Sequence, residues 1–421
     1  MRPEVVVTGV GVVSPIGSGR VAFWESLAAG RSGVGHITSF DTGGLPVHFG
    51  AEIRDFDPKL RVKPRKSLKV MSRDMQLGFA AADEALADAG IAAGTLDPDR
   101  FGMIFGADMI YDELQETAAI FRGCSVSGSF RFDRWAEAVA AELHPLWLLK
   151  RLPNMTASHA AIHHDARGPN NTIVHGEVSG LLALGEAADV IRRGQADVML
   201  AGGTGCRITP WTMVLGGARL LSHRNADPAA ASRPFDRDRD GAVLGEGAAV
   251  VVLESREHAR RRGAAAIARL AAAAARYEPR PADRLQPLTG AALAAAIRSA
   301  LDMAGISRAD VGHVNAHGLS TPGDDRSEAE AIHATLGDTP VTAPKSFFGH
   351  TGAGGGLVEL AASLVGATHG LVPPTLNHAS TDPHCPVHVI GTPVAASGGA
   401  ILKVSVARTG QAVAAVLVPG D

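Results

Sequence analysis

Glu177 lies in the stretch Gly168-Pro-Asn-Asn-Thr-Ile-Val-His-Gly-Glu177-Val-Ser-Gly180, where an extended apolar segment, Thr172 to Val174, runs into a tight turn and then a helix of small residues. Such a strand–turn–helix unit presents one side chain at a helix N-terminus, where outward-pointing backbone N–H groups favour negative charge. A thiol placed there would ionise and attack acyl groups. A carboxylate is also stable there, but it cannot carry an acyl chain through a thioester cycle. Two histidines stand in glycine-punctuated turns after apolar segments, Val314-Asn-Ala-His317-Gly-Leu-Ser-Thr-Pro and Pro344-Lys345-Ser-Phe-Phe-Gly-His350-Thr-Gly-Ala-Gly-Gly-Gly. A histidine just past a buried strand projects into the crevice at the strand's carboxyl end, where α/β proteins bind ligands. Lys345, five residues before His350, is placed to hold a carboxylate or a histidine.

The elements that must position these groups alternate short β-type runs with longer helical patterns, which argues for parallel sheets sandwiched by helices. Phe101–Gly106, Val198–Gly203 and Ala248–Glu254 have the composition of buried strands. Met75–Ala89 is an amphipathic helix stopped by Gly90, and Glu177–Arg193 is a helix apolar all round, hence central. The second half repeats the style with a helix over Ala291–Ala304, a strand over Val311–Ala316 and a helix over Gly355–Val365. The Arg/Ala-rich stretch Glu257–Arg276 is the candidate join, giving halves of 1–255 and 256–421. Residues 110–152 form an irregular insertion bearing Tyr111, Phe121, Trp135 and Trp147, either an excursion over the core or a subunit interface. Thr8-Gly-Val-Gly-Val-Val-Ser-Pro opens like a dinucleotide loop. The third glycine is missing, however, and Pro15 disrupts the helix that should follow, so a structural turn is expected.

At 421 residues and 46% apolar content the chain is long enough for a large two-part α/β body and is not globally disordered. Its 40 Lys plus Arg against 43 Asp plus Glu leave no electrostatic footprint for nucleic acid or an anionic membrane. Cys124, Cys206 and Cys385 are scattered, with neither disulfide nor metal-ligand spacing, which fits a reducing, cytoplasmic setting. The apolar run Leu357–Ala367 is too short for a membrane span and is broken by Glu359. A soluble protein is expected.

The two histidine motifs belong to a longer ordered set: Val7-Thr-Gly-Val-Gly-Val-Val-Ser-Pro-Ile-Gly17, Gly185 to Gly203, Ser232-Arg-Pro-Phe-Asp-Arg-Asp-Arg-Asp-Gly241, Gly245-Glu-Gly247 and Pro373-Pro-Thr-Leu-Asn377. Together they resemble the β-ketoacyl–acyl-carrier-protein synthases, condensing enzymes of fatty acid and polyketide biosynthesis. The resemblance implies a thiolase-like, five-layered α-β-α-β-α fold of two similar halves, and dimerisation. It implies acyl carrier protein as partner, with a phosphopantetheine thioester as substrate arm and no separate cofactor. His317 and His350 match the pair that holds a thioester carbonyl during decarboxylation, and Lys345 and Glu328 match the supporting lysine and glutamate. Two N–H donors aimed at the enolate oxygen lower that barrier.

The chain departs from the pattern at Glu177, which replaces the acyl-accepting cysteine, and at Ala242, where the family usually carries a bulky aromatic residue. It departs again at Val404-Ser-Val-Ala-Arg408-Thr-Gly-Gln411, where the family has a glycine- and phenylalanine-rich gate. The resemblance then implies a non-elongating, chain-length-factor-like partner of a cysteine-bearing synthase, in a heterodimer or otherwise as a homodimer. The alternatives are a malonyl-carrier-protein decarboxylase, or a repurposed enzyme using Glu177 as general base. Pairing is expected through the strand before Gly168 and the 110–152 excursion. Glu177 is expected to be largely buried, and an Arg408–Glu177 ion pair is the expected plug for the site.

Overall fold

The computed structural model describes residues 3–110, 114–216, 219–283 and 286–420, so Tyr111 lies outside the described residues. The N-terminal half contributes β1 (Val5–Ser14), β2 (Phe101–Gly106), β3 (Asn170–Ile173), β4 (Val198–Cys206) and β5 (Glu246–Ser255). The C-terminal half contributes β6 (Ala268–Tyr277), β7 (Val311–Asn315), β8 (Pro340–Thr342), β9 (Ala400–Val406) and β10 (Gln411–Pro419). The halves repeat one plan. In the first, β1 pairs antiparallel with β5 and β5 antiparallel with β4, then β4, β2 and β3 run parallel. In the second, β6 pairs antiparallel with β10 and β10 antiparallel with β9, then β9, β7 and β8 run parallel. The two sheets meet where β1 touches β6, through Val6 with Arg269 and Val7 with Ala268.

Helices fill three layers around these two sheets. On one outside lie α1 (Arg73–Asp88) and α2 (Met155–His164), packed on Val198, Leu200 and Val250. Between the sheets lie α3 (Ser179–Arg192) and α6 (Gly355–Thr368), whose Leu181, Leu184, Leu357 and Leu360 share one core with Val251 of the first sheet and Leu417 of the second. On the far outside lie α4 (Ala291–Ala304) and α5 (Pro322–Leu336), packed on Val314, Leu402 and Val416. Twelve of the fourteen residues of α6 are buried, which its Gly- and Ala-rich sequence permits because thin side chains let a helix sit between two sheets.

Several expectations need correction. The Thr8–Ser14 stretch is strand, not turn. Its glycines serve close packing, since a Cβ on Gly11 would fall 2.0 Å from the Ala81 carbonyl oxygen of α1. The segment before Gly168 is helix α2, and the strand, β3, follows it at the edge of the sheet. The 110–152 insertion is more regular than its composition indicated, holding helices Leu114–Cys124 and Trp135–Glu142 around a small hairpin. Its Phe121, Phe130 and Phe132 are exposed, whereas Trp135 and Trp147 are half-buried. Among the described residues no helix is long and apolar enough to cross a membrane.

Candidate functional site

The site forms where the carboxyl ends of the parallel strands of both halves meet the central helices. Past β3 the chain makes a 3-10 turn, Gly176–Val178, so α3 begins at Ser179 rather than at Glu177. The Ser179 hydroxyl accepts from the His175 backbone N–H at 2.8 Å and donates to the Gly176 carbonyl at 2.7 Å, closing the turn. Gly176 holds φ +59°, a left-handed conformation that favours glycine. A Cβ on Gly106 would lie 2.4 Å from the Gly180 nitrogen, so glycine there lets β2 seat the start of α3. Glu177 is thereby carried to the middle of the molecule.

From the other half come His317, two residues past β7, and the Lys345–Gly354 segment between β8 and α6. His350 is anchored by its backbone, donating to the Val243 carbonyl at 2.7 Å and accepting from Gly245 at 3.0 Å. The His317 turn is held by Glu328, whose carboxylate accepts from the His317 and Gly318 N–H groups at 2.6 and 2.8 Å. The rings of His317 and His350 face edge to face-on, centroids 6.3 Å apart. The Glu177 Oε1 approaches His350 Nε2 at 3.4 Å, with 18% of the glutamate side chain still exposed. The structure therefore brings together Glu177, His317, His350, Lys345 and Glu328, with Glu177 largely buried as expected.

Arg408 is not part of this group. β9 ends at Val406 and Arg408 sits in the following turn, where its Nη1 lies 3.8 Å from Asp324 Oδ2 on α5. The expected Arg408–Glu177 pair does not form. Strand alternation explains it: Ser405 and Ala407 face the site and Arg408 turns away. Ser405 Oγ donates to the Glu177 carbonyl at 3.3 Å and lies 3.5 Å from His317 Nδ1. A Cβ on Gly176 would sit 3.9 Å from that of Ala407. A methyl group, not a guanidinium, stands against the turn.

Sequence reasoning missed four charged groups. Glu359, fully buried on α6, is shared by Lys345 and by Lys403 of β9, and Lys403 also donates to the Ala316 carbonyl at 3.1 Å. Asp108 lies two residues past β2 and bonds Arg207 at 3.0 Å and the Ala353 N–H at 3.0 Å. The signal for Glu359 and Lys403 was available, since each interrupts an apolar run that buries its neighbours. Nothing comparable marks Asp108 and Arg207, whose loops carry no periodic pattern.

These neighbours set the protonation states. Burial works to raise the Glu177 pKa, but the His350 contact, the Arg207 charge and its own backbone N–H outweigh it and draw the carboxyl down to about 2. Burial holds His350 below its ordinary range despite Glu177. Burial, with the charges of Lys345, His350 and Lys403, keeps His317 well below its ordinary range. At neutral pH the site is thus a carboxylate facing two neutral imidazoles. Cys206 offers no substitute nucleophile, since burial and the Glu246 and Asp74 carboxyls push its thiol well up. Beside the site opens a cavity of about 680 Å³ whose wall includes Arg73, Asp74, Asp108, Cys206, Arg207 and Glu246. Burial and the nearby Asp108 raise Asp74 to about 7.

The known proteins to which this chain is similar are beta-ketoacyl synthases and their structural neighbours. The family model for the beta-ketoacyl synthase N-terminal domain matches residues 2–259 and that for the C-terminal domain matches residues 267–379. The chain is 37% identical over 393 residues to the tetracenomycin polyketide synthase ketoacyl synthase alpha subunit of Streptomyces glaucescens, covering 91% of this chain and 89% of that one. Among solved structures it superposes on the ishigamide ketosynthase/chain length factor with TM-score 0.87 and 30% identity over the full length of both chains. It superposes equally fully, with TM-score 0.84 and 29% identity, on a type II polyketide ketosynthase bound to a hexaketide and in complex with its acyl-carrier protein. Two strand-and-helix halves, a histidine from each of two C-terminal loops and matches over nine-tenths of the length lead to one assignment: the chain belongs to the beta-ketoacyl synthase family, with a glutamate at residue 177.

Proposed function

We propose that this protein is a non-elongating ketosynthase-like subunit that works beside a cysteine-bearing synthase on carrier-bound polyketide or fatty acyl chains. The observation that carries this reading is the ionised Glu177 set against His350. A carboxylate accepts no acyl group from a phosphopantetheine thioester. It also engages the Nε2 atom that would otherwise donate to a thioester carbonyl. A malonyl carboxylate brought to about 4 Å would meet roughly 4 kcal/mol of repulsion at an effective dielectric near 20. The charged wall of the neighbouring cavity likewise argues against an unbranched aliphatic chain lying there, since burying Asp108–Arg207 under hydrocarbon strips the pair of water. The test is direct. Incubated with acyl-carrier protein the protein alone should show no mass adduct and no elongation, and a cysteine-bearing synthase encoded beside it should co-purify and elongate only in the mixture. A stoichiometric thioester on the isolated protein overturns the reading.

A second reading is favoured by one observation: the C-terminal side of the site is fully built, with His317, Lys345, Glu328 and Glu359 all buried and bonded. On that reading Glu177 and His350 act as an acid–base pair on a carrier-bound substrate, malonyl decarboxylation included. Carbon dioxide release from malonyl-carrier protein by the isolated chain would select it.

A further inference from the structure

Away from this site, Asp83 on α1 and the consecutive His163 and His164 at the end of α2 bring three ligand atoms within 4.8 Å of one another. Asp83 Oδ1 lies 2.8 Å from His164 Nε2 and 3.9 Å from His163 Nε2. At 2.8 Å a carboxylate oxygen and a ring nitrogen ordinarily share a proton. Here both atoms are enclosed and neither makes a hydrogen bond, because the oxygen lies off the axis of the ring nitrogen. Two ligands of one cation meet in this way: each points at the ion, about 2.0–2.1 Å away for zinc, and neither points at the other.

We propose that Asp83, His163 and His164 form a site for a divalent transition metal of the zinc class, clamping α2 to α1. The rings are set in place by packing. Phe79, one turn before Asp83 on α1, lies 5.0 Å from the His163 ring and 6.5 Å from the His164 ring, and the two imidazoles stand 4.7 Å apart at 68°. Both histidines occupy the last turn of α2, whose free carbonyls favour a cation. The Lys63 charge near His163 works against the ion and the Asp83 carboxylate works for it. Two imidazoles and one carboxylate, with the remaining positions open to water, suit Zn²⁺, Co²⁺ or Ni²⁺ and not the oxygen-seeking Mg²⁺ or Ca²⁺. The clamp would join two walls of the active region, because α1 begins at Arg73 and Asp74 on the cavity and α2 leads into β3 and the Glu177 turn.

The experiment uses tag-free, chelator-stripped full-length protein. Zn²⁺ is titrated in competition with a chromophoric chelator, and Co²⁺ is followed by its visible absorption. One tight equivalent per chain is expected, with at least a tenfold loss of affinity in His164→Gln and again in Asp83→Asn. Zn²⁺ should raise the melting temperature of the parent but not of either variant, and metal-free melting should be the same for all three. Absence of a tight equivalent in the parent overturns the proposal, as does equal uptake by the variants. Should one variant melt early without metal, the other carries the comparison.

Discussion

The two halves of the molecule place side chains at matching points of the same plan, and the side chains are of opposite kinds. Two residues past β2 stands Asp108, and two residues past the matching β7 stands His317. Past β3 stands Glu177, and past the matching β8 stand Lys345 and His350. At these matched points the N-terminal half places carboxylates and the C-terminal half imidazoles and an ammonium group. They also differ in finish. Lys345, His350 and Glu359 are buried and locked by backbone and side-chain bonds, whereas Glu177 keeps 18% of its side chain exposed and His175 beside it is exposed. A duplicated frame can therefore bury and lock the polar groups of one half while leaving the matching groups of the other half partly open.

The sharpest test places a thiol in the N-terminal half at residue 177. Glu177→Cys should go from no acyl adduct to a stoichiometric one on incubation with acyl-carrier protein, read by intact mass. The intact C-terminal groups and the α3 N-terminus are the parts a thiolate needs. If the variant stays unmodified, the C-terminal half is less complete than its geometry indicates.

Stability should divide in the same way. Glu359→Gln leaves Lys345 and Lys403 buried without a counter-charge and should cost roughly 3–5 kcal/mol, measured as a fall in the urea midpoint at unchanged slope. Asp108→Asn, on the N-terminal side, breaks a partly exposed pair and should cost about 1 kcal/mol. Equal costs would dissolve the contrast between the halves.

A further effect concerns acid. Glu177 titrates at about 2 in the folded chain against 4.5 unperturbed, so its contribution is fully present above pH 4.5 and is lost as pH falls through 2. Glu177→Gln should remove that slope, converging with the parent in melting temperature toward pH 2–3 and separating from it by a few degrees at most near neutrality. A variant whose deficit grows on acidification would show that Glu177 is not held ionised.

Much of this is legible in the sequence. His317 and His350 lie in glycine-flanked turns after apolar runs, and such turns have few places to go other than the strand ends; Lys345 stands just before the second turn, and Glu328 lies on the helix that follows the first. Arg408 was misplaced because alternation along β9 was not carried through the turn that follows, and Ser405 and Ala407 proved to be the facing residues. The Lys345–Glu359–Lys403 triad escaped because partners 14 and 44 residues apart meet only after three layers have packed. Gly9 and Gly11 looked like turn residues, yet what they provide is clearance for α1, a demand that comes from tertiary contact and leaves no local pattern.

The narrow seam between β1 and β6 bears on how the chain comes off the ribosome. Among the described residues the β1–β6 register spans just Val6–Arg269 and Val7–Ala268, with the Ile267 N–H donating to the Val7 carbonyl beside them, so the halves are joined mainly through the shared layer of α3 and α6. While α3 emerges early, its cover α6 is made last but for the closing strands, a wait on the order of 10 s at about 5–20 residues per second. Through that interval an apolar helix lies bare on a half-finished sheet. A fragment stopped after α3 and β5, near residue 261, is expected to precipitate or be held by chaperones, and soluble yield against the full chain measures it.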